Sequence, residues 1–278
     1  MTLAQWRKYA APRLRAAGDL DAETDSCLFL CAVLGVERPL LRFRAEEELD
    51  EEALKALETM LLRRESGEPE QYIEGAAYFM GLKFKIDSRA LIPRSDTETL
   101  CEAAIAEIKT APQPRVLDMC TGSGCIAVSV AKYCPRAAVT ACDISAEALA
   151  LAEENALING VRLECVQSDG FLNLEGRRFD ALLCNPPYLT GQDMAQLQRE
   201  VAHEPRLALY GGEDGLAFYR RFAREMKEHL NASALVLFEV GAGQSSDVCA
   251  LMQRAYPESK TDTIKDLNGV ERVVRMRT

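Results

Sequence analysis

Arg115-Val-Leu-Asp-Met-Cys-Thr-Gly-Ser-Gly124 is an apolar strand that runs into a glycine turn, and the amphipathic stretch Cys125 to Cys134 continues it as a helix. The same alternation repeats downstream. Ala138 to Cys142 reads as a second strand, Ala146 to Asn159 as a helix, Arg162 to Gln167 as a third strand and Asp180 to Cys184 as a fourth. Strands alternating with helices specify an α/β fold with a parallel sheet and crossover connections. Further on, Leu216 to Leu230 has helical spacing, Ala234 to Glu239 is an apolar strand, and Ser245 to Ala255 is helical again. Strands near Lys260 to Ile264 and Glu271 to Met276 are expected to give the sheet an antiparallel end.

Upstream of this region the period is that of helices only. Leu3 to Ala17, Asp21 to Leu34 and Asp50 to Arg64 carry apolar residues at three- and four-residue spacing, which predicts a small helical bundle. Gly67-Glu-Pro69 breaks the pattern. Ala76 to Ile86 then reads as two short strands turned at Gly81, and Ser95-x-x-Glu98 predicts a capping box opening a helix. The expected organisation is a helical domain over 1–74, a β-hairpin linker over 75–94 and an α/β domain over 95–278.

Charge and cysteine content narrow the function classes. Over 278 residues, 33 Lys and Arg face 43 Asp and Glu, a net charge of −10. Affinity built from many phosphate contacts needs clustered cations, so a protein or small-molecule substrate fits better than nucleic acid. The 10 cysteines lie mostly in apolar runs without a Cys-x-x-Cys pair, and there are only 2 histidines, which points to reduced core thiols and no metal site. With no secretory h-region and no apolar run of about 18 residues, a soluble cytoplasmic protein is expected, with no membrane partner.

The glycine turn sits where open α/β sheets bind ligands, outside the carboxyl ends of their strands. Gly122 and Gly124 let a ligand approach the backbone closely, with Thr121 and Ser123 between and before them. Asp143 ends the second strand, 19 residues after Gly124, where a carboxylate can accept from both hydroxyls of a ribose. An adenosine cofactor is implied. The dinucleotide pattern Gly-x-Gly-x-x-Gly is incomplete, since Ala127 and Cys120 stand at its outer positions, and Asp118 would repel a pyrophosphate. The same carboxylate suits the amino-acid part of S-adenosylmethionine. Asp169-Gly170-Phe171 follows the third strand, where an acid can read an adenine amino group and an aromatic ring can cover it, or where a turn simply carries a core Phe.

Asn185-Pro186-Pro187-Tyr188 ends the fourth strand. The prolines lack N–H groups and hold the preceding residues extended, so the Asn185 side-chain oxygen and the Pro186 carbonyl are two rigid acceptors aimed at one place. An NH2 group donating both hydrogens there turns its lone pair towards a methyl donor opposite, with Tyr188 over its plane or serving as an ordinary loop aromatic. Other residues read as structural. His203 and His229 sit among charges as surface or capping groups, Glu204-Pro205 and Gly211-Gly212 brace the loop after the motif, the favoured reading, or touch a peptide substrate, and Glu239 ends its strand either in the cleft or in solvent.

Several of these pieces recur together, in order and spacing. They are Gln71-Tyr72-Ile73-x-Gly75, Phe79-Met-Gly81-Leu-x-Phe84, Leu91-Ile-Pro-Arg-Ser-Asp-Thr-Glu98, the turn at Thr121 to Gly124, Asn185 to Tyr188, and Glu204 to Leu216. Over nearly its whole length the chain resembles the peptide chain release factor N5-glutamine methyltransferases. The resemblance implies a class I, Rossmann-like methyltransferase domain using S-adenosylmethionine and releasing S-adenosylhomocysteine. It also implies a helical domain that helps recognise the release factor, and methylation of the glutamine side chain in that factor's Gly-Gly-Gln loop; a monomer is expected. Asn185, Pro186, Pro187 and Tyr188 would bind that glutamine. Asp118, Cys120 to Gly124, Asp143, Asp169, Gly170 and Asn185 would border the cofactor. Three residues depart from the family pattern. Cys120 stands where glycine is usual, which is tolerated if its φ is negative but narrows the room beside the methionine part of the cofactor; Gly170 stands where an aromatic is common, passing adenine cover to Phe171; Ser95 replaces a proline, as the capping box would allow.

Three competing readings remain. The Asn-Pro-Pro-Tyr chemistry serves any NH2, so an exocyclic amine of a nucleic-acid base is the nearest alternative, disfavoured by the acidic charge. A cofactor-binding adaptor would have no use for an NH2-binding motif. An NAD-dependent oxidoreductase would be separated by cofactor titration.

Overall fold

The computed structural model describes residues 1–278 and divides them into two units, Met1–Gly75 with Gln198–His203, and Ala76–Leu197 with Glu204–Thr278. In the first unit, α1 (Leu3–Ala16), α2 (Ala22–Leu34) and α3 (Glu51–Glu65) bury Trp6, Leu14, Phe29, Leu30, Leu57 and Leu61 against one another. Thr2 opens α1 with a capping box to Gln5, and the Asp50 side chain caps α3 through the Ala53 N–H. A short α4 (Glu70–Glu74) follows, which five residues behind Pro69 are too few to reveal by period. The Arg64 guanidinium is buried among three carboxylates, donating to Asp25 at 2.7 Å, Asp19 at 3.0 Å and Glu200 at 2.9 Å. Arg199 donates to the carbonyls of Ala17 and Glu65, so the Gln198–His203 segment is bonded into this unit.

The second unit begins with a hairpin of β1 (Ala76–Phe79) and β2 (Leu82–Lys85). Its turn residues Met80 and Gly81 have φ of +51° and +72°, the two positive values that match a two-residue turn to strand twist. α5 (Ser95–Ile108) corrects the capping-box expectation. Arg94, extended, is the N-cap residue and makes no side-chain cap; Ser95 is the first helical residue, a position proline favours, and the Glu98 carboxylate instead accepts from the Met80 N–H at 2.5 Å.

Then follow β3 (Arg115–Met119), α6 (Cys125–Tyr133), β4 (Ala138–Asp143), α7 (Ala146–Ile158), β5 (Glu164–Gln167), β6 (Phe179–Cys184), α8 (Gly191–Met194), α9 (Arg206–Leu209), α10 (Ala217–Glu225), β7 (Leu230–Glu239), α11 (Ser245–Ala255), β8 (Lys260–Lys265) and β9 (Glu271–Arg277). The helix expected over Leu216 to Leu230 is shorter and the strand after it longer. A 3-10 turn at Met226–His229 brings Leu230 to pair with Phe179, and the polar run that follows is carried through a bulge with Ser233 at φ +60°, so no apolar alternation marks it.

The sheet order is β5-β4-β3-β6-β7-β9-β8, parallel from β5 to β7, with β9 antiparallel to both of its neighbours. The chain starts at β3 and builds outward first through β4 and β5, then back through β6 and β7. The reversal lies between β3 and β6, and Met119 pairs with Cys184 there, which brings the glycine turn beside Asn185.

Candidate active site

A cleft of about 1050 Å³, counting its open mouth, lies at the carboxyl ends of β3, β4 and β6. Cys120, Thr121, Gly122, Ser123, Asp143, Asp169, Gly170, Asn185 and Pro187 line it; Asp118, Gly124, Phe171, Pro186 and Tyr188 do not. The cleft is mostly apolar, with a few polar groups converging on it, which is how small-molecule sites are built.

The turn is held from below. Asp118 is fully buried, and its Oδ2 accepts from the Thr121 hydroxyl at 2.5 Å and the Ala127 N–H at 3.1 Å. Its Oδ1 is buried without a partner. Burial pushes this carboxyl up to about 7 against the two hydrogen bonds. Asp118 therefore organises the turn and does not present its carboxylate to the cleft as expected. Gly124 also has another role: a Cβ there would lie 2.8 Å from that of Ala152, so the glycine lets α6 pack against α7. Gly122 is the open one, where a Cβ would meet only Ala90 at 3.9 Å. Asn155, on α7 and fully buried, ties the turn to the hairpin by donating to the Ser123 and Lys85 carbonyls and accepting from the Lys85 N–H.

Cys120 does not meet the condition of a negative φ. Its φ is +61°, the left-handed region that glycine occupies freely and an L side chain enters at a cost of about 1–2 kcal/mol. Its thiol packs against the core cluster that contains Cys142 and Cys184. None of the ten cysteines is in a disulfide.

Asp143 accepts from the Gly122 N–H through Oδ2 and from the Ser145 N–H through Oδ1, both at 2.9 Å. Each oxygen keeps a lone pair for a further donor. Burial raises the pKa of this carboxyl, and the backbone bonds partly offset it. Ile144 beside it is exposed at the cleft.

Phe171 is not an adenine cover. Its ring is buried, stacked on His229 at 4.6 Å and edge-on to Phe222 at 5.7 Å, because the turn after β5 directs it into the core. Phe218 on α10 lines the cleft instead. His229 is buried, contrary to a surface placement, with its Nδ1 3.0 Å from the Arg177 carbonyl oxygen. Asp169 is paired with Arg221, whose guanidinium lies where a side chain on Gly170 would be.

At the end of β6, the Asn185 Nδ2 donates to the Thr97 hydroxyl at 3.2 Å. Tyr188 is half-buried, and its hydroxyl is 3.5 Å from Oε1 of Glu239. Glu239 is 1% exposed, which removes the solvated reading of that strand end, and its Oε2 has no partner. Burial pushes its carboxyl up to about 7, while the nearby Thr97 and Tyr188 hydroxyls and the charge of Arg272 favour ionisation.

Two braces hold the motif. The Glu204 carboxylate accepts from the Ile92 N–H at 3.0 Å and pairs with Arg94, fixing the segment whose Leu91, Pro93 and Arg94 line the cleft. Leu189 and Gly211 are bonded across, the Leu189 N–H to Leu209 and the Gly211 N–H to Leu189, both at 2.9 Å. A Cβ on Gly211 would lie 2.6 Å from the Pro187 carbonyl oxygen. Thr97, Phe218 and Glu239 were not assignable from spacing; Thr97 sits within the Leu91 to Glu98 motif, whose order was the only signal of a role.

A doubly wound sheet with a glycine turn, an acid ending the next strand, and Asn-Pro-Pro-Tyr across the switch point defines a methyltransferase, and residues 97–215 match the methyltransferase small domain family. Residues 5–75 match the PrmC N-terminal domain. The chain is 39% identical to the release factor glutamine methyltransferase of Geobacter sulfurreducens, covering 94% of this chain and 91% of that one. It is likewise 39% identical to that of Cereibacter sphaeroides, over 100% and 99% of the two chains. The fold is shared with a methyltransferase from Pyrococcus furiosus, 18% identical with a TM-score of 0.53 over 72% of this chain and 89% of that one. The chain belongs to the release factor glutamine methyltransferase family.

Proposed function

We propose that this protein transfers a methyl group from S-adenosylmethionine to the side-chain amide nitrogen of the glutamine in the Gly-Gly-Gln loop of peptide chain release factors. The observation that carries the reading is the state of the two acceptors. Asn185 commits its NH2 to Thr97, which leaves Oδ1 for an incoming donor, and no protein group donates to the Pro186 carbonyl. An NH2 group with both hydrogens on these oxygens is held in one orientation.

The donor set beside them suits an adenosyl cofactor. Asp143 retains lone pairs for ribose hydroxyls, Gly122 leaves room at the turn, and Ile144 and Phe218 supply apolar walls for a base. When bound, S-adenosylmethionine supplies an electrophilic methyl group on a sulfonium. An amide nitrogen is a weak nucleophile, since its lone pair is delocalised into the carbonyl. Asn185 and Pro186 oppose that delocalisation by holding the N–H bonds in place and stabilise the positive charge that develops on nitrogen as the N–CH3 bond forms and the S–CH3 bond breaks; the nitrogen then releases one proton to solvent, leaving a neutral N-methyl amide and S-adenosylhomocysteine. Pro187 lines the pocket beside them, and Tyr188 packs next to the amide. The first unit is the part we assign to recognition of the release factor, supported by the match of residues 5–75.

The test is mass spectrometry of an unmethylated release factor incubated with the protein and S-adenosylmethionine. The expected result is a gain of one methylene's mass on the Gly-Gly-Gln peptide, lost with Asn185→Ala. Methyl found on nucleic acid and none on that peptide would overturn the reading.

A further inference from the structure

The outer side of the cleft is made by the ends of β4 and β5. Asp143 closes β4 opposite its register partner Gln167, and the next residue, Ser168, donates its N–H to the Asp143 carbonyl at 2.9 Å. Ser168, Asp169 and Gly170 all line the cleft, so a nucleoside whose ribose sits on Asp143 carries its base towards the turn after β5. Asp169 is the carboxylate of that turn. A free aspartate rotates about its side-chain torsions, and a ligand that uses it must stop that motion on binding.

Here the motion is already stopped. The Arg221 guanidinium reaches across from α10 and donates to Asp169 twice, through Nη1 to Oδ1 and through Nη2 to the backbone carbonyl at 2.9 Å. Two bonds from one rigid planar fork to the two ends of a single residue fix its side-chain torsions, which a single-point contact does not. The fork is held from behind, where Nε donates to the two oxygens of Glu225 at 3.0 and 3.1 Å, one helical turn on. Gly170 makes room for it: its φ is +60°, and a Cβ there would stand 2.8 Å from Arg221 Nη2 and 3.1 Å from Glu225 Oε2. With Oδ1 of Asp169 taken by Arg221, Oδ2 is the uncommitted oxygen. Phe218, one turn before Arg221 on α10, lines the cleft beside it.

We infer that Arg221 is a positioning residue for the cofactor's base: it locks the Asp169 carboxylate with Oδ2 towards the cleft, a preformed acceptor for the amino group of a purine lying against Phe218. The inference rests on the S-adenosylmethionine reading proposed above and goes beyond it. Arg221 does not itself line the cleft, so it acts through Asp169. An ionised carboxylate only accepts, so the locked group selects a base with an N–H donor at that edge.

Calorimetric titration of the full chain with S-adenosylhomocysteine, and with its analogue carrying unsubstituted purine in place of adenine, tests this, since the two ligands differ by the amino group alone. A hydrogen bond to a charged acceptor is worth about 10-fold to 100-fold in affinity, and the half-exposed Asp169 sets the expected preference for S-adenosylhomocysteine at about 10-fold. Arg221→Met keeps an unbranched side chain and deletes the fork. The preference is expected to shrink about 3-fold to 10-fold, with most of the loss in the Kd for S-adenosylhomocysteine and little in that for the analogue. In an Asp169→Ala background, which has no preference to lose, Arg221→Met should leave the ratio of the two Kd values unchanged. Equal weakening of both ligands by Arg221→Met would reduce Arg221 to packing α10 on the turn and overturn the inference. An undiminished preference in Arg221→Met, or no preference in the unmodified protein, would overturn it as well. Binding of neither ligand by the unmodified protein would instead overturn the cofactor reading, and this inference with it.

Discussion

A Cβ on Gly215 would stand 2.3 Å from the carbonyl oxygen of Tyr188. No real atom sits at that distance, so the glycine is the reason the loop after α9 can lie against the backbone of Asn185 to Tyr188. The same carbonyl accepts from the Gln244 side chain at 3.0 Å, and φ at Gly215 is +73°. Gly215→Ala must push the motif or move the loop. A displacement near 1 Å at a reacting centre costs on the order of 100-fold in rate, so kcat on release factor is expected to fall by about that factor. Binding of S-adenosylhomocysteine, measured by calorimetry, should change far less. Equal activity would show that the motif is not held by this contact.

Asp143 offers a separate handle on the cofactor. Its carboxylate already holds the Gly122 and Ser145 N–H groups, so Asp143→Ala removes the ribose acceptors and orphans the turn's backbone together. Loss of hydrogen bonds to a charged group costs about 1.5–3 kcal/mol each, which predicts at least a 10-fold weaker Kd for S-adenosylhomocysteine. An unchanged Kd would place the ribose elsewhere.

The glycine turn, its following helix and Asp143 were legible because strand period, turn glycine and terminal acid are all local signals. Asn185 to Tyr188 was legible for the same reason, since two prolines determine their own backbone. Phe171 and Phe218 could not be told apart by sequence: each follows a glycine turn or opens a helix, and which ring faces the cleft is decided by how α10 packs on the sheet. Thr97 and Glu239 lie on α5 and β7, far apart in the chain, and no periodicity links them. Asp118 looked like a ligand because a strand-end acid usually is exposed; here Thr121 and the start of α6 close over it.

Cys120 carries strain that its glycine counterparts would not. Left-handed backbone costs an L residue about 1–2 kcal/mol, while glycine gives back roughly 0.5–1 kcal/mol in unfolded-state entropy. Cys120→Gly is therefore expected to be neutral to stabilising by about 1 kcal/mol, and Cys120→Val, β-branched at φ +61°, to be destabilising. Thermal unfolding of the two variants checks this. A fall in Tm for Cys120→Gly comparable with that for Cys120→Val would mean the thiol's packing on the core outweighs the strain.

Glu239 makes stability depend on pH. Burial raises its folded pKa to about 7, above the ordinary value of 4.5, so the folded state prefers the protonated carboxyl. Its favourable contribution is whole below pH 4.5 and is lost as pH rises to about 7. At pH 8 the ionised carboxylate is a net cost, and Glu239→Gln, which carries no charge, is expected to raise the Tm by several degrees. The groups facing Glu239 are Asp96 and Cys101 on α5, Asp118 on β3, Cys125 on α6, Tyr188, Tyr219 on α10 and Arg272 on β9. Burial pushes the Asp118 carboxyl up to about 7 as well, and Glu239→Gln distinguishes the two: the fall in Tm between pH 6 and pH 8 should shrink in that variant. A fall of the same size in Glu239→Gln would assign it to Asp118.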